Sequence, residues 1–461
     1  MNVLVWYKRD LRVEDHPALC FGAGSGAVLP LYIAEPEAWA LPDASARQWA
    51  FVAETLAGLR ADLAALGAPL VVRCGDAVEV LARLCKQNAI TRIVSHKAAG
   101  NAWAQARDAR VRDWANGAGI EWVELAQTGP EMLAAPALRM VAGIEPGVIP
   151  NARALRMAVD DCPHRQIGGR VQGEALLDSF LAHRGLGYAS GSDAVTSAER
   201  VSSRMSPYLA VGAVSRRALA LAAQARIDAR PGGEWGPSLR AFQGRIGASG
   251  KLAGATDLTL SQEDNALFDA WRKGQTGLPY VDACMRYLIA TGWINFAARA
   301  MLTSVAVHHF RLDWRAVGHV LARRFTDYDP AIHWPLVQRL AGANGQRARL
   351  IDPVKQGQLH DPNGAFTRRW VPELAGVPEA VLQTPWKWPA AQTVLGRRYP
   401  EPVVDIATAA REARAVMRRR CVPQYPVLIE PCAGHGRFFK TPGEGMRRVR
   451  LPVAGQLCLD L

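Results

Sequence analysis

No stretch of the chain approaches the ~20 unbroken apolar residues that a membrane-crossing helix requires. The opening MNVLVWYKRDLR runs directly into an apolar strand and then charge, without a signal-peptide core or a small-residue cleavage site, so a soluble cytoplasmic protein is expected. The eight cysteines (Cys20, Cys74, Cys85, Cys162, Cys284, Cys421, Cys432 and Cys458) are scattered and form no C-x-x-C pair. Free thiols are the default for such spacing, and neither a structural zinc nor an iron–sulfur cluster is expected. No G-x-G-x-x-G follows the first strand, which removes the usual signature of dinucleotide binding at that position. Internal repeats are also lacking. Negative charge is in short supply: 42 acidic residues face 55 basic ones, for a net charge of +13. A surface of that sign suits a polyanion, because neutralised phosphates release counterions.

What is present divides along the chain. With 461 residues and 49% apolar content, about two or three domains with large cores are expected. In the first third, Asn2–Tyr7, Val28–Ala34, 69–73, 92–95 and Glu121–Leu125 are short apolar runs separated by helical patterns, such as Phe51, Leu56, Leu59, Leu63 and Leu66 on one face. Strands alternating with helices predict a parallel, doubly wound sheet over residues 1–126. The polar cluster Lys8, Arg9, Asp10, Arg12, Glu14 and Asp15 follows the first strand, where such sheets meet a ligand or another domain. Residues 127–187, with Pro, Gly and weak periodicity, are expected to form an interdomain linker. Residues 188–420 read as helical, with apolar three-to-four spacing in 283–290, 296–310 and 317–325. A loosely ordered tail is expected over 421–461. Between Arg411 and Arg450 ten basic residues face three glutamates, so more than half the excess charge lies in one segment.

Several segments carry chemistry. VWYKRDLRVEDHPAL (Val5–Leu19) places a basic–acidic turn after a strand. Ser202, Ser203 and Ser206 in SSRMSPYLAVGAVS are hydroxyls beside a helix start, which serve either as plain N-caps or as anion ligands. TGLPYVDACMRYLIATGW (Thr276–Trp293), FTDYD (Phe325–Asp329), DPVKQG (Asp352–Gly357) and DPNGAFTRRWVPEL (Asp361–Leu374) follow in order. Together these segments resemble the DNA photolyase/cryptochrome family, and the resemblance covers most of residues 1–390.

The resemblance implies an N-terminal Rossmann-like domain and a helical FAD-binding domain, with a possible antenna chromophore of unknown identity in the former. It assigns the FAD pyrophosphate to Ser202, Ser203 and Ser206, with Arg204 and Met205 between them and Tyr188 nearby. Arg299 and Asp327 are expected on facing helices beside the flavin ring, with Tyr328 and Asp329 at its polar edge. For electron transfer it implies Trp314 as the middle ring and Trp334 as the flavin-proximal one. The distal position holds Ser261, so Trp293 or Tyr328 is the candidate substitute. For any one tryptophan, core packing is the competing role.

Departures from the family fall where damaged bases would dock. Arg245 stands at an acidic position, Ala248 at a tryptophan, and Phe296-Ala297 at an Asn-Arg pair. The implied function is blue-light-driven repair of UV pyrimidine photoproducts in DNA by a monomer. A cryptochrome-like photoreceptor without repair activity is the alternative. Arg323, Arg324, Arg347, Arg349, Arg368 and Arg369, with the tail, are expected near phosphates. The last six residues, Gln456-Leu457-Cys458-Leu459-Asp460-Leu461, resemble a peptide that docks on the bacterial sliding clamp, and the alternative is a terminal strand or a disordered end.

Overall fold

The computed structural model describes residues 1–97, 100–127, 131–230, 232–248, 265–343 and 348–420. Ser261, Arg347, most of the basic tail and the Gln456–Leu461 peptide lie outside these residues.

Five strands, β1 (Asn2–Tyr7), β2 (Ala27–Ala34), β3 (Val71–Cys74), β4 (Ile90–His96) and β5 (Glu121–Leu125), form one sheet in the order β3-β2-β1-β4-β5. Every pairing is parallel, with Val3 opposite Val28 and Leu4 opposite Ile93. β1 is buried on both faces from Val3 to Tyr7, which is why it reads as a continuous apolar run instead of alternating. Four helices connect the strands or cover the sheet: α1 (Pro17–Ser25), α2 (Ala46–Ala65), α3 (Ala77–Gln87) and α4 (Ala102–Gly117). The expected doubly wound domain is therefore present. β3 starts two residues later than the sequence suggests, since Pro69 has no N–H to give to the ladder.

The stretch expected to be a linker is more structured than its composition suggests. It contains the helix α5 (Arg170–Ala182), whose Leu176, Leu177, Phe180 and Leu181 carry a helical spacing that the preceding Pro and Gly obscure. Before α5 the chain lies against the N-terminal domain: Val28 N–H donates to the Arg139 carbonyl at 2.6 Å, and Leu138 N–H to that of Leu66 at 2.7 Å.

The remaining described residues form helices joined by loops, with short 3-10 turns between 372 and 393. Four helices matter for the site: α6 (Pro279–Thr291), α7 (Phe296–Ser304), α8 (Trp314–Arg324) and α9 (Pro330–Ala341). Their apolar faces form one core that includes Trp271, Tyr287, Trp293, Met301 and Phe325.

The two halves are joined by polar groups aimed at helix ends. Arg47, fully buried, forms a bidentate pair with Asp160 and donates to the carbonyls of Leu288, Ile289 and Arg324. Gln48 donates to the Ala322 and Phe325 carbonyls. These carbonyls belong to the C-terminal ends of α6 and α8, where helices leave acceptors without intrahelical partners. Arg9 spans the same boundary, donating to the carbonyls of Ala210 and Tyr328.

Candidate functional site

Two cavities adjoin one another, a larger one at the seam between the halves and a smaller one within the helical half. The larger, ≈ 580 Å³, opens beyond the C-terminal ends of β1, β2 and β4. The sheet order reverses between β1 and β4, and open α/β sheets bind ligands at such a reversal. Its walls mix aromatic rings (Tyr32, Trp39, Trp103) with charge (Lys8, Glu35, Arg107), and the helical half closes it with Tyr328 and Asp329. Burial outweighs the adjacent Arg107 guanidinium and pushes the Glu35 carboxyl up to about 7.

Below this cavity, Asp10 accepts from His96 at 2.6 Å, and His16 Nε2 lies 3.2 Å from the same carboxylate oxygen without hydrogen-bond geometry. The far nitrogens of both rings accept backbone N–H groups at the start of α1, from Leu19 to His16 and from Ala18 to His96. This fixes the tautomers, with the proton on Nδ1 of His96, where it points at Asp10, and on Nε2 of His16. Burial opposes ionisation of Asp10, but the two adjacent histidines hold its carboxyl well below the usual range. The three residues are close enough to share a metal ion. As arranged, one ring nitrogen of each histidine anchors the start of α1, and His16 Nε2 has no hydrogen-bond partner.

The smaller cavity, ≈ 50 Å³, is lined by Ser206, Arg216, Phe296, Arg299, Asp327, Tyr328, Asp329 and His333 among others. Arg299, on α7, pairs with Asp327 at 2.6 Å and also donates to the Ile294 carbonyl at 2.8 Å. Its guanidinium lies 4.1 Å from the centre of the Phe325 ring. Asp327 is not on a facing helix, as expected from sequence, but in the turn between α8 and α9. The reason is local: Phe325 ends α8 in extended geometry, and Asp329 with Pro330 starts α9, the aspartate capping the Ala331 N–H at 3.0 Å.

The serine segment lies close by. Ser206 opens a helix of five residues, Ser206–Ala210, too short to build a substantial macrodipole. Arg204 takes a left-handed backbone (φ 61°). Gln166 holds it from both sides, accepting from Arg204 Nε at 3.0 Å and donating to its carbonyl at 2.9 Å. The Arg204 guanidinium also lies 4.1 Å from the centre of the Trp293 ring. Ser203 Oγ accepts the Met205 N–H at 3.3 Å. Tyr188 sits further off, packed against Phe180 and Phe242 with the Arg245 guanidinium 4.8 Å from its ring centre.

Among the described residues, the buried polar atoms of this region without a protein partner include Ser202 Oγ, Ser206 Oγ, Thr326 Oγ1, Asp327 Oδ1 and Trp293 Nε1. Unsatisfied buried groups are costly and mark places where a ligand or water belongs. The hydroxyls and the indole N–H, with Arg204, suit an anionic group, whereas Asp327 Oδ1 only accepts and suits a donor such as a ring N–H.

The aromatic residues form a row. Trp314 and Trp334 meet edge to face at 6.4 Å between centres, and Trp334 Nε1 donates to Tyr328 Oη at 3.0 Å. Gly318 allows this approach, since a Cβ there would lie 2.3 Å from the Trp334 ring. Trp293 has Arg204 as its ring partner and stands apart from the row.

Sequence reasoning brought Ser206, Arg299, Asp327, Tyr328 and Asp329 to one cavity and missed Gln166, Arg216, Asp43 and His333. Gln166 and Asp43 lie outside every motif, so no local signal marks them. Several arginines expected near phosphates have protein partners: Arg324 with Asp160, Arg369 with Glu199, and Arg368 with the carbonyls of Asn363 and Val377.

Comparison with known proteins identifies the family of both halves. Residues 3–129 match the family model described as DNA photolyase, and residues 249–419 match the FAD binding domain of DNA photolyase. The chain is 29% identical to the deoxyribodipyrimidine photo-lyase of Escherichia coli (strain K12), covering 87% of this chain and 95% of that one. It is equally 29% identical to a cryptochrome DASH of Gloeobacter violaceus, covering 89% and 95%. A cryptochrome structure from Synechocystis sp. PCC6803 superposes with a TM-score of 0.78 at 24% identity, over 90% of this chain and 99% of that one.

Proposed function

Because the chain belongs to the DNA photolyase/cryptochrome family, we propose that it binds FAD in the helical half and uses blue light to repair UV pyrimidine photoproducts in DNA. The observation that carries the flavin site is the set of partnerless buried polar atoms on Ser202, Ser206, Asp327 and Trp293, lying near two guanidinium groups. The residues fit the group. Ser202, Ser203, Arg204, Met205 and Ser206 would hold the pyrophosphate, with Tyr188 on its adenosine side. Arg299, Asp327, Tyr328 and Asp329 would surround the ring.

Bound FAD would supply a light-excited one-electron donor. Around it Arg299, fixed by Asp327 and the Ile294 carbonyl, provides a preorganised positive charge where negative charge gathers. Gln166 positions Arg204. The larger cavity beyond the sheet, with its aromatic walls and charged rim, would hold an antenna chromophore.

DNA is the proposed partner, supported by the net charge of +13 and the photo-lyase relative. A flipped-out pyrimidine dimer would enter from the solvent side, at a cost of a few kcal/mol in unstacking. The second reading, a photoreceptor without repair, is favoured by Arg245, which is held by Ser192 Oγ at 2.8 Å and lies over Tyr188 where the family has an acidic residue. Illuminating the reduced protein with an oligonucleotide containing a thymine dimer separates the two readings. Restored thymines support repair. Tight flavin binding without restoration supports the receptor. Loss of flavin absorption on gel filtration, with excess FAD supplied, would overturn both.

A further inference from the structure

Tyr328 and Asp43 stand together where the two cavities meet, one from each half of the molecule. The Tyr328 hydroxyl has two partners. Trp334 Nε1, which can only donate, gives it a hydrogen bond of 3.0 Å. The hydroxyl proton is therefore free for its other partner, the Asp43 carboxylate, with which it makes a short hydrogen bond. The direction of the chain follows from donor chemistry alone: indole N–H to phenol oxygen, phenol O–H to carboxylate. Burial and the adjacent Asp43 charge raise the Tyr328 hydroxyl far above the usual phenol range, so it keeps its proton in the resting state. Arg9 donates to the Tyr328 carbonyl at 2.7 Å and pins the residue in place. Trp314, half-buried, continues the row from Trp334 toward solvent.

We propose that Tyr328 is the electron donor that traps an electron vacancy formed on Trp334, and that Asp43 accepts its proton. The vacancy arises when Trp334 loses an electron, either to light-excited bound FAD or to an added oxidant. One electron then passes from Tyr328 to the Trp334 radical cation and restores the neutral indole. The Tyr328 O–H bond breaks, and its proton forms a new O–H bond on Asp43. A cation and an anion are replaced by a neutral phenoxyl radical and a neutral carboxylic acid. A buried, low-dielectric site favours that change because it removes two poorly solvated charges. Return of the electron would require the proton to move back, which holds the separated state open. A soluble thiol supplies the electron and proton that restore Tyr328. Asp43 also lines the larger cavity, through which its proton can exchange with solvent.

The light-driven form of this step rests on the flavin reading, whereas the tyrosine–aspartate pair does not, and one pair of measurements separates them. In flavin-free protein, pulse-generated azide radicals oxidise tryptophan, and transient absorption follows the indole radical into the tyrosine radical. Wild type is expected to show that transfer, with a solvent deuterium effect. Tyr328→Phe should abolish it, although other tyrosines remain. Asp43→Asn should slow it by ~10²-fold, the usual effect of losing a positioned base. In flavin-loaded protein, light should give the same tyrosine radical by electron paramagnetic resonance. Transfer that persists in Tyr328→Phe, or is unchanged in Asp43→Asn, overturns the proposal. If Asp43→Asn does not fold, Tyr328→Phe alone decides. Transfer in the flavin-free protein with no light-induced radical in the loaded protein overturns the flavin reading and leaves the pair intact.

Discussion

At the scale of single residues, the Arg299–Asp327 pair shows what burial does to an otherwise ordinary contact. A surface ion pair contributes little, but the Asp327 side chain is only 2% exposed. Removing the cation leaves a carboxylate with no compensating charge. Arg299→Ala is therefore expected to cost ~3–5 kcal/mol in urea unfolding, far more than a typical surface arginine. Arg299→Lys should recover little of this, because one ammonium cannot reach both Asp327 and the Ile294 carbonyl in the geometry of the guanidinium. Arg204 carries strain of a different kind. Its left-handed backbone is uncommon for a residue with a Cβ, and Gln166 holds it there from outside the motif.

Among the elements, α8 and α9 explain why the aromatic row exists. They cross at Gly318, where the Trp334 ring packs directly on the α8 backbone and His333 donates from Nε2 to the Gly318 carbonyl at 2.9 Å. A glycine inside a helix ordinarily costs ~1 kcal/mol relative to alanine. Gly318→Ala should nevertheless destabilise the protein by ~1–3 kcal/mol, since its Cβ would meet the indole and force it aside. A change in tryptophan emission should accompany the loss, and a stabilised variant would contradict this packing. The helix Ser206–Ala210 makes the opposite point. With five residues it has almost no dipole of its own, so side chains and orphaned hydroxyls must provide most of any anion binding there.

For the molecule as a whole, the two halves are coupled through Arg47. Its guanidinium spans Asp160 and the ends of α6 and α8, so Arg47→Ala would leave Asp160 with only the longer contact to Arg324 and would remove a buried donor from the carbonyls of Leu288, Ile289 and Arg324. A loss of ~1–3 kcal/mol is expected. Calorimetry should then resolve two transitions where the wild type shows one. The pH response is also a property of the whole. Burial lowers His16, His309 and His333 to about 4, against ~6.5 in an unfolded chain. The unfolded chain binds these protons first, so their contribution to stability is lost as pH falls from about 6.5 toward 4. Burial raises Asp282 to about 6 and Glu35 to about 7, and these carboxyls act in the opposite direction, costing stability as pH rises toward 7. A difference measurement isolates one group. Between those limits His333→Gln should lose up to ~1.4 kcal/mol less per pH unit than wild type, and parallel curves would show that His333 titrates normally.

The sheet and the helical half were legible because their signals are local. Apolar runs of β1 and β2, broken by Pro, Gly and charge, specify strands without reference to anything distant, and three-to-four spacing does the same for helices. The motifs likewise marked Arg299, Asp327, Tyr328 and Asp329, which lie in one stretch of the chain. Three features escaped: the helix α5, hidden behind Pro and Gly; the turn holding Asp327, decided by how α8 stops and α9 starts; and every partner drawn from far along the chain. Gln166 reaches Arg204, Asp43 reaches Tyr328, and Arg47 reaches the ends of two helices, at separations of 38, 285 and more than 240 residues. Side-chain type and spacing determine which elements form and which residues are able to do chemistry. Which carboxylate faces which phenol depends on how two domains close over a seam, and packing across that seam is decided only in the tertiary structure.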